Sequence, residues 1–220
     1  MYCILLCFNY IFVPINLISL IMNTKQLLHC GTITALLFWV STLIAGYLHG
    51  NYNHLTDTIS ELGALGTNSK TFMAYVLWLG TATGILFAVG AYRACRELGL
   101  NIIPVLPIIT VPFSFAWVAL FPSGTSLHPY GGNGMLLLYL TIPLSLLLWR
   151  GPKLLNMRLW SFISALLLYL LFLRLVPPFR GQYEGLTQRF AHLGWSVWFI
   201  AIDLCFAQLL TNKYTQKTIA

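Results

Sequence analysis

Three short stretches hold most of the residues able to do chemistry. The chain of 220 residues has only five acids and five histidines. His49, His54, Asp57 and Glu61 fall in the first stretch, His128 in the second, and Glu184, Arg189 and His192 in the third. Imidazole and carboxylate groups brought together can hold a zinc ion and activate water, or act as general acid and base. His54, Asp57, Glu61, His128, Arg189 and His192 are therefore the candidate catalytic constellation, with His54, Asp57, His128 and His192 as candidate metal ligands. No tight H-E-x-x-H or H-x-x-x-H pair occurs, so convergence of all three stretches is required. No cofactor is assigned.

The elements that must position these residues are set by lipid. Only 8% of the chain is charged and 58% is hydrophobic, with mean hydropathy +0.79, against roughly a quarter charged in a soluble domain. That excludes a cytosolic enzyme, a disordered chain and a disulfide-stapled secreted module. The net charge of +7 comes from basic residues scattered at the ends of apolar segments, so nucleic acid is not implied and the lipid bilayer is the partner.

A hydrocarbon core of ~30 Å needs about 20 apolar residues. Such stretches occur at about 27–48, 71–92, 102–121, 130–149, 158–177 and 188–210. The fold class is all-α, an integral membrane bundle of six transmembrane helices over 22–210, followed by a short cytoplasmic tail at 211–220. Pro104, Pro107 and Pro112 predict a kinked third span, and Gly80, Gly84 and Ala88 make a small-residue stripe for close packing. The apolar stretch 1–21 has no basic residue and is read either as a seventh span or as an extension upstream of a start at Met22. Five cysteines without metal spacing predict no disulfide framework.

Between Asn51 and Lys70, Leu55, Ile59 and Leu62 share one helical face while His54, Asp57 and Glu61 share another. This predicts an amphipathic helix of about three turns with Asn53 as its N-cap, presenting either a solvated acidic face or one wall of a site. The glycines after His128 predict a flexible loop, or a nest of N–H groups for an anion. Gln188, His192, Trp195, Phe199 and Asp203 continue one face of the last helix. Asp203 in lipid is costly, so that face must meet protein or water, with Asp203 a buried hydrogen-bonding residue or a proton relay. No basic residue is expected at its depth.

The strings Asp57-Thr-Ile-Ser-Glu-Leu-Gly63, Phe121-Pro122 with His128, and Gly185-Leu-Thr-Gln-Arg189 resemble the bacterial and archaeal multi-pass membrane family called domain of unknown function 998, over about 27–210. The resemblance implies a six-helix bundle with these loop elements and assigns no activity. Three function classes stay open: a boundary hydrolase acting on a lipid or lipid-linked substrate, a small-solute or proton-coupled transporter, and a packing subunit without chemistry.

Orientation follows from the basic residues. Lys25, Arg93, Arg96, Arg150, Lys153, Arg158, Lys213 and Lys217 fall on one side, eight of the twelve, against Lys70, Arg174, Arg180 and Arg189 on the other. The positive-inside bias puts the eight in the cytoplasm of a bacterial or archaeal membrane, with both ends of the six-helix body there. Reporter fusions after Gly66, Gly124 and Gln182 should read outside, and those after Glu97 and Lys153 inside; the reverse pattern refutes this orientation.

Overall fold

A capping box starts the first span. Asn23 Oδ1 accepts from the Gln26 amide at 2.9 Å, and Gln26 Oε1 accepts from the Asn23 amide at 2.9 Å, so two N–H groups that the helix cannot pair internally are paired at its end. From this cap α1 runs Thr24–His49. The computed structural model describes residues 22–177 and 179–219. The stretch 1–21, and both readings of it, lie outside the described residues.

Five further spans follow. α2 is Lys70–Leu98, α3 Ile103–Leu120, α4 His128–Leu148 and α5 Pro152–Leu175; α6 is Glu184–Ile219. Among the described residues six helices are long and apolar enough to cross a membrane. They pack in chain order as a ring, α6 closing it on α1 and also touching α2. Loops 49–69, 121–127 and 176–183 gather at one end, called the loop end. The other is the tail end.

The prolines act as expected, with more reach than a single kink. The first half of α3, Ile103–Ile109, is a 3-10 helix containing Pro107, and only Thr110–Leu120 is α-helical. The Thr110 hydroxyl donates to the Pro107 carbonyl at 2.7 Å, and that of Thr81 to the Pro112 carbonyl at 3.3 Å, so polar backbone in the bundle finds local partners. The glycines after His128 form neither a loose loop nor an anion nest. They belong to a 3-10 stretch, His128–Leu137, that opens α4. A Cβ on Gly134 would lie 2.9 Å from Ser114 Oγ and one on Gly131 2.8 Å from Val118, so their missing side chains let α4 approach α3. The Gly80 and Gly84 stripe serves α3 too, meeting Phe115 and Pro112.

Two helices outrun their apolar segments. α2 continues past residue 92 to Gly99, whose positive φ of 70° closes it, with the Leu100 amide reaching the Cys95 carbonyl. This leaves Glu97 at the tail end, where its carboxylate accepts from the hydroxyls of Thr24 and Tyr214 and its carbonyl from Lys213. α6 likewise continues beyond 210 through the segment read as a tail. Charged residues ended the apolar pattern without ending the helix, because Glu97 finds hydroxyl partners and Lys213 a backbone carbonyl across helices.

Asp203 is 1% exposed. Its two oxygens meet His29 Nδ1 at 2.8 Å and the Thr32 hydroxyl at 2.5 Å. Thr32 supplies a hydroxyl donor, and His29 corrects the expectation that no basic side chain reaches this level; its side chain is 56% exposed. The pair joins α1 to α6. Asp203→Asn keeps an acceptor and should unfold within a few degrees of wild type. Asp203→Leu should lose ~1–3 kcal/mol, the cost of leaving buried polar partners unsatisfied. Thermal unfolding in detergent measures both, and equal stability of the two variants refutes the strut.

Candidate functional site

The first turn of a helix has N–H groups with no partner inside the helix. At α6 they are taken by the first loop: the Gly185 amide donates to the Thr56 carbonyl at 3.1 Å and the Leu186 amide to the Leu55 carbonyl at 2.9 Å. Arg189, just over a turn further on, gives one guanidinium N–H to the Asp57 carbonyl at 3.0 Å. Three successive loop carbonyls are thus used by α6. The expected three-turn amphipathic helix is not formed: the loop's carbonyls face α6, and the Asp57 carbonyl accepts from both Arg189 and Tyr52. The loop holds instead a turn over 54–57 and a short 3-10 helix, Ile59–Gly63. Ile59 and Leu62 are buried as the apolar face required, whereas Leu55 is exposed.

Each polar residue of the loop has a separate task. Asp57 turns its carboxylate back to accept from the Asn53 amide at 2.8 Å and the Thr56 hydroxyl at 2.7 Å. Arg189 consequently meets Asp57 through backbone, and no carboxylate–guanidinium bond joins it to Asp57 or Glu61 among the described residues. Glu61 instead caps its own turn, accepting from the amide and hydroxyl of Thr58. Arg189 Nη2 donates to the Tyr52 hydroxyl at 2.7 Å and lies 3.0 Å from His54 Nδ1. Tyr52, which sequence reasoning passed over, also donates to the Asp57 and Thr58 carbonyls. Gln188 Oε1 accepts from the Ile59 amide at 2.6 Å.

The other two predicted residues lie elsewhere. His128 and His192 line a cavity of about 600 Å³ with Ser114, Tyr139, Arg174, Glu184, Gln188 and Trp195 among its walls. His54, Asp57, Glu61 and Arg189 are not among its lining residues. The single six-residue pocket is thus corrected to two sites, divided because α6 turns Arg189 to the loop and Gln188, His192 and Trp195 to the bundle. The four candidate metal ligands are split in the same way, and among the described residues no group of three His, Cys, Asp or Glu side chains could hold a metal ion.

Hydrogen bonds fix the tautomers of the two cavity histidines when neutral. His128 Nδ1 faces the Phe121 carbonyl at 2.8 Å; a carbonyl only accepts, so Nδ1 carries the proton and Nε2 is an acceptor. His192 Nδ1 accepts from the Trp195 indole N–H at 2.9 Å, so its Nε2 is a donor. Ser114 Oγ and Tyr139 OH are buried in the cavity wall without a hydrogen-bond partner. Neither stood out in the sequence, where a serine and a tyrosine inside apolar spans read as ordinary packing.

A family profile described as "Protein of unknown function (DUF998)" matches residues 32–204. The chain belongs to this family. No curated protein and no solved structure matches it. In this DUF998 chain the resemblance strings have a physical content: Asp57–Gly63 and Gly185–Arg189 are the two sides of one dock. Phe121-Pro122 and His128 are tied by the ring-to-carbonyl bond.

The dock depends on acid–base state and on the missing side chain of Gly185. Burial and the nearby Arg189 hold the His54 imidazole below its ordinary value of 6.5. The Asn53 amide and Thr56 hydroxyl hold the Asp57 carboxyl below its ordinary 3.8. Both groups bind protons more readily when the loop is released, so the dock weakens as pH falls. The His54 share is complete above about 6.5 and is lost below it; the Asp57 share goes only in strong acid. Amide protection of residues 51–63, measured as the exchange rate relative to the intrinsic rate at each pH, should therefore fall between pH 8 and 5, and His54→Gln should flatten that change. A Cβ at Gly185 would sit 2.3 Å from the Asp57 carbonyl oxygen. Gly185→Ala should cost ~1–3 kcal/mol in overpacking and speed exchange at every pH, whereas Gly132→Ala, with open space around it, should leave exchange unchanged.

Proposed function

We propose that this membrane protein binds one lipid-like amphiphile in the cavity at the loop end, which the basic-residue count puts on the outward side. The observation that carries the reading is the cavity itself. It has room for one ligand of drug size and is walled mainly by apolar side chains such as Phe38, Leu77, Phe115 and Leu168. Along α6 it runs from Glu184 to Trp195, ~16 Å at 1.5 Å per residue. That is about half of a ~30 Å hydrocarbon core, the depth of one leaflet.

Its polar groups suit a ligand with a polar end. The unpartnered hydroxyls of Ser114 and Tyr139 each cost on the order of 1–3 kcal/mol while unsatisfied, and a bound acceptor or donor would recover part of that. His128 Nε2 and His192 Nε2–H add one acceptor and one donor. Neither hydrolysis by a metal nor transport draws comparable support. The four candidate ligands are divided between two sites, and Asp203 is occupied by His29 and Thr32.

Full-length protein purified in mild detergent should carry a co-purifying amphiphile near one per chain, identified by mass spectrometry of the extract. Ala191→Trp puts an indole into the lining and should lower that occupancy at least fivefold with thermal unfolding little changed. Wild-type protein without bound amphiphile, or a variant that retains it undiminished, refutes the reading.

A further inference from the structure

Two opposite charges stand at the rim of the cavity without meeting. Arg174, on the last turn of α5, and Glu184, on the first turn of α6, both line it. Among the described residues the two form no ion pair with each other, and neither makes a side-chain hydrogen bond. Arg174 is exposed and Glu184 half-buried, so both charges stand where a headgroup can reach them. Either side chain alone is explained by snorkelling. Together, on adjoining elements over one leaflet-deep cavity with two unsatisfied buried hydroxyls, they describe a binding rim.

From this rim we infer that the amphiphile's headgroup is zwitterionic: an anionic phosphate for Arg174 and an ammonium for Glu184. The inference rests on the proposed binding function and names its ligand class. A guanidinium fork matches phosphate oxygens in a bidentate manner, and a primary ammonium offers three donors to a carboxylate. A purely anionic headgroup would pair with Arg174 but sit beside the Glu184 carboxylate. An uncharged headgroup would bury both rim charges unpaired. Discrimination thus comes from repulsion as well as attraction. Volume sets the rest of the molecule. At the ~30 Å³ that one water takes in the liquid, the cavity holds roughly twenty heavy atoms, so one acyl chain enters and two do not.

The test uses full-length protein in detergent after removal of bound lipid, with Trp195 in the cavity wall as a fluorescent reporter. The probes are lysophosphatidylethanolamine, lysophosphatidylglycerol and monoacylglycerol with the same chain. Wild type should bind the first at least tenfold more tightly than either other. Glu184→Gln should remove the preference between the two phospholipids, and Arg174→Gln should weaken both at least tenfold while leaving monoacylglycerol unchanged. Thermal unfolding of each variant checks that it is folded. Soluble glycerophosphoethanolamine distinguishes the sources of the headgroup: competition by it alone at similar concentration means a free small zwitterion, and its failure to compete means the lipid. Equal binding of all three probes, or a preference unaltered by Glu184→Gln, overturns the zwitterionic headgroup and leaves the cavity's binding function standing. Binding of none overturns both.

Discussion

The first turn of α6 is where this structure has least freedom. Its amides must find acceptors at the lipid boundary, where water is scarce, and they find them on the carbonyls of Leu55 and Thr56. Arg189 then takes the Asp57 carbonyl and Tyr52. Backbone groups carry most of this contact, so residue type matters chiefly where space or donor number is limiting. Gly185 is required because a Cβ would collide with the Asp57 oxygen. Arg189 is suited because a planar guanidinium offers several donors in a fixed fork, which a lysine ammonium does not reproduce.

Hydropathy made the six spans legible, because the bilayer demands about twenty apolar residues whatever the tertiary structure. It failed at the helix ends for the same reason. Nothing in the apolar pattern of α2 indicates that Glu97 will anchor Thr24, Lys213 and Tyr214, so the helix was read as ending before it. The loop helix failed differently. Leu55, Ile59 and Leu62 have the right spacing, but periodicity counts side chains, and the segment's backbone is shared with a helix some 130 residues away. Gly185 and Arg189 were visible as members of a string; that they bond to the other string was not. His29 was passed over because it sits at a span end, where a histidine is ordinary, and its pairing with Asp203 joins positions 174 residues apart.

Polar side chains within the spans show how closely the bundle accounts for its donors. Thr34, Ser41, Thr42 and Thr81 return their hydroxyls to carbonyls of the preceding turn, and Trp39 and Trp198 give their indole N–H groups to Ser196 and Ser161. Trp149 donates to the Asn101 carbonyl. Against that pattern, Ser114 and Tyr139 are informative by contrast. Among the described residues Ser164 is a further buried hydroxyl without a partner and lies outside the cavity lining, whereas Ser114 and Tyr139 share one wall, where the protein's own atoms leave two groups for a ligand.

Gln188 links the two sites that α6 separates. Its side chain lines the cavity, while its carbonyl oxygen holds the Ile59 amide and its amide nitrogen approaches Ser60 Oγ at 3.5 Å. Thr58, Ile59 and Ser60 themselves form part of the cavity wall, so the docked loop is also a side of the binding space. Releasing the loop would therefore remove wall and partner together. One face of α6 sets the position of the loop and the adjacent face sets the shape of the cavity, and a one-residue step from Gln188 to Arg189 turns the helix from one to the other. The strings Asp57–Gly63 and Gly185–Arg189 thus bear on the cavity without lining most of it, through the loop held against α6.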